Sequence, residues 1–215
     1  MTPKAVLFDC DGVLVDSEPL GLALLQDDLA EHGFKISMAE IEASLVGMTM
    51  PRVAEEARAL GAVLPPDWLE QHYRRLYAQL AEGTPLIPGV EAVLDRLDKA
   101  GIRYAVGSNG TRRKMEITLS QHPGVWHRLK DHLHSGQDLP RPKPDPALYL
   151  QAAAGLGIAP ADCVVVEDSA TGCRAGVAAG MRTLGLARHD DGARLAAEGA
   201  EVFHSMDDLP ARLGF

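Results

Sequence analysis

The chain has 215 residues, 46% of them hydrophobic and 24% charged, which suits one or two folded domains with a sizeable core. Its formal charge of −9 argues against nucleic acid or an anionic membrane as partner, and means that a phosphorylated metabolite needs locally supplied positive charge. No apolar run reaches the roughly eighteen residues of a membrane span. Residues 1–15 lack the basic start and cleavage site of a secretory signal. Cys10, Cys163 and Cys173, odd in number, suit a reducing cytoplasm.

Lys4-Ala5-Val6-Leu7 reads as a short buried strand, here taken over residues 4–9. It runs into Phe8-Asp9-Cys10-Asp11-Gly12-Val13-Leu14-Val15-Asp16-Ser17-Glu18. Asp9 and Asp11 at a strand's end aim at one point while repelling each other, so a cation belongs between them. Mg²⁺, held by carboxylate oxygens and a phosphate, meets that need. Taken alone, Asp9-Cys10-Asp11 is also compatible with an acidic turn. Alternation along a strand points the Cys10 side chain away from the carboxylates, as a small buried filler.

From Pro19 to Gly83 the sequence reads as successive helices. Leu22, Leu25 and Leu29 recur at helical spacing, as do Val53, Ala57 and Leu60, then Leu69, Tyr73, Leu76 and Leu80. Gly33, Gly47, Gly61 and Pro65-Pro66 punctuate them. After Pro88-Gly89 the pattern becomes alternating. A helix through Val90, Val93, Leu94 and Leu97 precedes a strand at Arg103–Gly107 and a helix from about Arg112. A strand at His132–Ser135, a helix at Pro146–Gly155, a strand at Cys163–Val166, a helix at Ala170–Gly180 and a strand at Arg182–Leu186 follow, then a weaker closing unit. Alternation of this kind predicts an α/β, Rossmann-like, doubly wound parallel sheet. The expected division is a core of residues 1–17 and 85–215 with an inserted all-helical segment, residues 18–84.

Ligands of such sheets bind at the carboxyl ends of the strands, and four polar clusters fall there: Asp9 with Asp11, Ser108-Asn109-Gly110, Lys143, and Glu167-Asp168-Ser169. Each has a plainer reading. Ser108-Asn109-Gly110 is a common turn and cap sequence, Lys143 a solvated side chain, and Glu167-Asp168-Ser169 an acidic helix cap. Four carboxylates against one lysine nevertheless imply a cation. Asp16 and Ser17 either extend the motif or shape the exit into the helices. Gly172 and Gly176 suit close helix–sheet packing, and Asp145 before Pro146 an N-cap. His122, His127, His132 and His134 share no metal-binding spacing.

In order and spacing the four clusters resemble the four motifs of the haloacid dehalogenase superfamily, most of whose members are phosphatases. The helical segment after the first motif resembles the C1-type cap of the β-phosphoglucomutase-like and phosphogluconate-phosphatase-like branch. The resemblance implies Asp9 as nucleophile, forming an aspartyl phosphate, and Asp11 as general acid and base, its backbone carbonyl also on Mg²⁺. It implies Ser108, Asn109, Gly110 and Lys143 on the phosphate, with Asp9, Asp11, Glu167 and Asp168 around the metal. The expected activity is hydrolysis of a small phosphorylated metabolite, a sugar phosphate or phosphorylated sugar acid. Arg52, His72, Arg74 and Arg75 are the candidates for cap specificity. A phosphomutase is the alternative, weakened because Gly47-Met48-Thr49-Met50 lacks the cap arginine of true β-phosphoglucomutases. Phosphonate cleavage is disfavoured by Lys35 being the segment's one lysine, and haloacid dehalogenation by the presence of Asp11. A binding module without turnover fits the intact motifs less well.

Overall fold

A computed structural model describes residues 2–45 and 48–215; Gly47, expected to punctuate the helices, lies outside them. The strands are β1 (Ala5–Phe8), β2 (Arg103–Ser108), β3 (Leu133–Ser135), β4 (Cys163–Glu167), β5 (Arg182–Leu186) and β6 (Glu201–Phe203). They form one parallel sheet in the order β3-β2-β1-β4-β5-β6. Expected strand limits agree to within a residue. The winding direction reverses between β1 and β4, which opens a crevice beyond their carboxyl ends. Phe8 pairs with Val106 on one side and Val166 on the other, bringing Asp9 level with Glu167.

Strand alternation divides the core into two layers. Val6, Phe8, Val164 and Val166 pack beneath α5 (Val90–Ala100), α6 (Arg112–Leu119), α7 (Pro123–Leu129) and α11 (Leu209–Leu213). Ala5, Leu7, Cys163 and Val165 face α8 (Ala147–Leu156) and α9 (Ala170–Ala178) on the other side. A short helix, α10 (Ala193–Ala197), packs through Leu195 against Cys173 and Ala187. Cys10 is buried in the first layer, as expected of a filler. The covered faces explain why the strands read as unbroken apolar runs.

Between β1 and α5 lie α1 (Glu18–Glu31), α2 (Met38–Ser44), α3 (Met50–Ala59) and α4 (Trp68–Glu82). They bury a cluster of their own, in which Leu25, Leu29, Ile41, Val53, Ala57 and Trp68 meet. The α2 start is a capping box, Ser37 with Glu40, which satisfies two backbone donors reciprocally. The chain enters and leaves this segment side by side: Asp16 N donates to Pro85 O (2.9 Å) and Ile87 N to Leu14 O (3.0 Å). Leu76 and Leu80 of α4 also pack near Ile117 of α6, which holds the helices over the carboxyl edge of the sheet.

Gly176 lets α9 lie close against the sheet. A β-carbon there would lie 2.5 Å from Thr183 Oγ1 and 3.1 Å from the Val165 β-carbon. Gly176→Ala should therefore cost stability, because a 2.5 Å clash puts overpacking at the upper end of about 1–3 kcal/mol, above the roughly 1 kcal/mol of helix propensity gained. Urea denaturation checks this; an unchanged or higher midpoint would contradict the packing.

Candidate active site

Glu167, the last residue of β4, and Asp9, the first after β1, keep the alternation of their strands, which turns both toward the α8–α9 side. Lys143 lies in the loop before α8 and is buried. Its backbone is clamped by Asn109: Lys143 N donates to Asn109 Oδ1 (3.0 Å) and Asn109 Nδ2 to Lys143 O (3.2 Å). So fixed, Lys143 Nζ donates to Asp9 Oδ1 at 2.8 Å and to Glu167 Oε1 at 2.6 Å. Tyr149 supports it from below, its ring centroid 4.7 Å from Nζ, while its hydroxyl donates to Glu167 Oε1 (2.9 Å). Glu167 Oε2 accepts from Asp168 N, Ser169 N and Ser169 Oγ. Ser169 also caps α9 through Gly172 N. A β-carbon on Gly172 would lie 1.7 Å from Glu167 Oε1. Gly172, expected merely to permit helix packing, makes room for this carboxylate.

Asp11 points elsewhere. Its carboxylate accepts from Ser17 and forms an ion pair with Lys114 Nζ at 2.8 Å. Burial raises the Asp11 carboxyl, but Lys114 and Ser17 outweigh it and hold it below its ordinary value. Lys114 was not anticipated, so the expected count of one lysine against four carboxylates is corrected to two. Its signal was the spacing from Thr111, whose hydroxyl caps α6 by accepting from Lys114 N (3.0 Å). Ser108 is buried and accepts from Gly110 N (3.0 Å), and Ser135 Oγ donates to Gly110 O.

Asp168 is half-buried at the edge of this network. Its carboxylate packs on Gly12, where φ is +73° and a β-carbon would fall 1.8 Å from Asp168 Oδ2. No hydrogen bond from the described residues reaches it. Burial, then Glu18, Glu167 and Asp9, push its carboxyl well above the ordinary value. Asp9 behaves alike. Burial, reinforced by Glu167 and Asp11, outweighs Lys143 and moves it from 3.8 to about 7. Burial would lower the Lys143 ammonium, yet Asp9 and Glu167 raise it above its ordinary value. Glu167 is held low, because Lys143, Ser169 and Tyr149 outweigh its burial.

One oxygen each of Asp9, Glu167 and Asp168 lies within 4.8 Å of the others, an all-oxygen set of the kind a hard divalent cation takes. Both Glu167 oxygens are already occupied by five donors. Glu167, one of the expected metal ligands, thus also holds Lys143 in this geometry, while Asp9 and Asp168 carry fewer donors. The four histidines are not gathered in any metal-binding group among the described residues. His122, for one, bonds Thr84 O through Nε2.

These residues floor a cavity of about 180 Å³ that α1, α3 and α4 roof over. Asp9, Asp11, Ser108, Asn109, Gly110, Lys114, Lys143 and Asp168 all line it. Of the four expected cap residues, His72 alone does. Arg52 is 57% exposed and paired with Glu55 and Glu56, and Arg74 is exposed on α4. Arg75 pairs with buried Asp28 and exposed Glu31 and does not line the cavity. Alternate positions along an exposed helix face carried these arginines away from the cavity.

The family model for haloacid dehalogenase-like hydrolases matches residues 3–180, the span that contains this whole constellation. The chain belongs to the haloacid dehalogenase-like hydrolases. It is 32% identical over 180 residues to a 6-phosphogluconate phosphatase of Escherichia coli, covering 83% of this chain and 80% of that protein. It is 34% identical over 196 residues to a CBBY-like protein of Arabidopsis thaliana, of which it spans 61% of the length. Among solved structures, a HAD-family hydrolase from Deinococcus radiodurans with bound phosphate and sodium aligns with a TM-score of 0.77 at 37% identity. That alignment covers 99% of this chain and 95% of the other.

In this hydrolase the Lys143–Glu167 pair is fully buried, and truncating Glu167 leaves the buried ammonium with Asp9 as its one carboxylate among the described residues and Tyr149 without its acceptor. Glu167→Ala should cost about 3–5 kcal/mol of stability, read by chemical denaturation. A loss under about 1 kcal/mol, the level of a surface pair, would contradict the geometry.

Proposed function

We propose that the protein is a Mg²⁺-dependent phosphatase that hydrolyses a small phosphate monoester through an aspartyl phosphate on Asp9. The observation that carries this reading is the Lys143 bridge. It holds Asp9 by Oδ1 and leaves Oδ2 without a donor among the described residues, at the floor of the cavity. The likeness to a 6-phosphogluconate phosphatase and to a phosphate-bound hydrolase supports it. Residues 18–84 act in this reading as a cap over a core of residues 1–17 and 85–215.

Asp9 Oδ2 attacks phosphorus, the bond from phosphorus to the ester oxygen breaks, and the departing alkoxide takes a proton from Asp11. Water then attacks the phosphoryl group, gives its proton to Asp11 and frees Asp9. Asp11 paired with Lys114 is ionised, the form suited to the second step. An arriving phosphate dianion competes for the Lys114 ammonium, and Asp11 released from that pair binds a proton more readily. Lys143, Ser108 and the Asn109 amide receive the phosphate oxygens, and the Gly110 amide joins them by giving up its bond to Ser108 Oγ. Asp9 and Asp168, with the Asp11 backbone carbonyl that the family resemblance implies, would hold Mg²⁺, which neutralises charge between nucleophile and phosphate. A phosphomutase would need a cation in the cap for a second phosphate, and Arg52, Arg74 and Arg75 are spent outside the cavity.

Asp9→Asn should abolish release of phosphate from esters while leaving the circular dichroism spectrum unchanged; substantial residual turnover would remove the covalent route. A second outcome concerns pH. Carboxyls raised on folding favour the protonated native state, so without metal the Asp9 contribution to stability declines as pH rises from 3.8 through about 7, and that of Asp168, also raised, declines in the same direction. Mg²⁺ binds the ionised forms. The rise in Tm on adding Mg²⁺ should therefore be larger at about pH 8 than at about pH 5. A rise independent of pH, or larger in acid, would count against Asp9 and Asp168 as its ligands.

A further inference from the structure

Resting on the phosphatase reading, we infer that the ester's leaving group is an uncharged alcohol that lays an apolar face on the helical roof of the cavity. Leu22, Leu25, Leu45, Met50, Val53 and Leu76 form that roof. The cations that line the cavity among the described residues are Lys114 and Lys143, both on the floor and both paired to carboxylates. Glu18, at the start of α1, adds a further carboxylate to the lining. A second anionic group on the substrate would thus be buried against leucines, methionines and carboxylates without a counterion, a costly arrangement.

His72 does not change this. Its ring is buried, stacked on Trp68 at 5.1 Å, and bonded through Nδ1 to Asp28. Arg75 already pairs with Asp28, so that carboxylate has its counterion without a proton on His72. Burial favours the neutral ring as well. With Nδ1–H donating to Asp28, Nε2 is left as an acceptor, suited to a substrate hydroxyl and unsuited to a carboxylate. Tyr73, the neighbouring polar side chain, takes Gln137 Nε2 on its hydroxyl oxygen (2.9 Å). Its own proton stays available to an alcohol oxygen.

The test uses p-nitrophenyl phosphate turnover with Mg²⁺ as reporter, and three matched esters as substrates and competitors: n-butyl phosphate, its terminal-hydroxyl analogue and its terminal-carboxylate analogue. The alkyl and hydroxyl esters should compete comparably, and the carboxylate ester at least about tenfold more weakly, as its unpaired charge requires. Met50→Lys, which adds an ammonium to the roof at a half-buried site, should narrow that gap about tenfold. A carboxylate ester that competes as well as the alkyl ester in the unaltered protein overturns the inference, whether or not the variant folds. Loss of p-nitrophenyl phosphate turnover altogether would instead overturn the phosphatase reading, and this inference with it.

Discussion

A single buried ammonium, Lys143, holds two strand ends together, and the rest of the site is arranged around it. Taking a lysine and two carboxylates out of water costs several kcal/mol per ion, which their attraction repays only where the remaining hydrogen bonds are complete. Here they are nearly so. Glu167 has donors on both oxygens, the Lys143 backbone is clamped by Asn109, and Tyr149 fills the space beneath. Such a pair adds little to stability over apolar packing. Its value here is positional: it fixes which oxygen of Asp9 is engaged and which is left open.

The sheet order makes the bridge feasible. Because β1 lies between β2 and β4, Asp9 and Glu167 leave neighbouring strands at one level, with Ser108 one residue further along β2. Two glycines then admit the carboxylates: Gly12 under Asp168 and Gly172 beside Glu167. Lys143 and Lys114 leave the site with an excess of carboxylates, and the raised carboxyls of Asp9, Glu18 and Asp168 express it. An ion bound by oxygen relieves that repulsion, so the donor set and the electrostatics favour the same kind of ligand.

Much of this was legible in the residues. Short apolar runs ending in Asp9, Ser108 and Glu167 place side chains at one edge of a parallel sheet, because parallel strands all end on the same side. Lys143 could be added because its loop follows β3. The finer assignments were less accessible. Lys114 looks like any charged residue of a surface helix until the fold swings α6 beside Asp11. Arg52, Arg74 and Arg75 carry suitable chemistry, but helix rotation about α3 and α4 is set by apolar packing of Val53, Leu76 and Leu80, which sends the arginines outward. The donors around Glu167 were invisible for a different reason: Lys143, Tyr149 and Ser169 reach it from separate elements that the fold alone brings together.

The central claim is that Asp9 is the atom donor that attacks phosphorus. The most direct measurement is to quench the protein in acid during turnover of an ester with Mg²⁺, reduce with borohydride, and map the modified residue by peptide mass spectrometry. Reduction and mass change confined to the peptide carrying Asp9, and dependent on the ester, is the expected result. A phosphoryl adduct on another residue, or none under conditions where turnover is fast and adduct formation is not rate-limiting, would contradict the account.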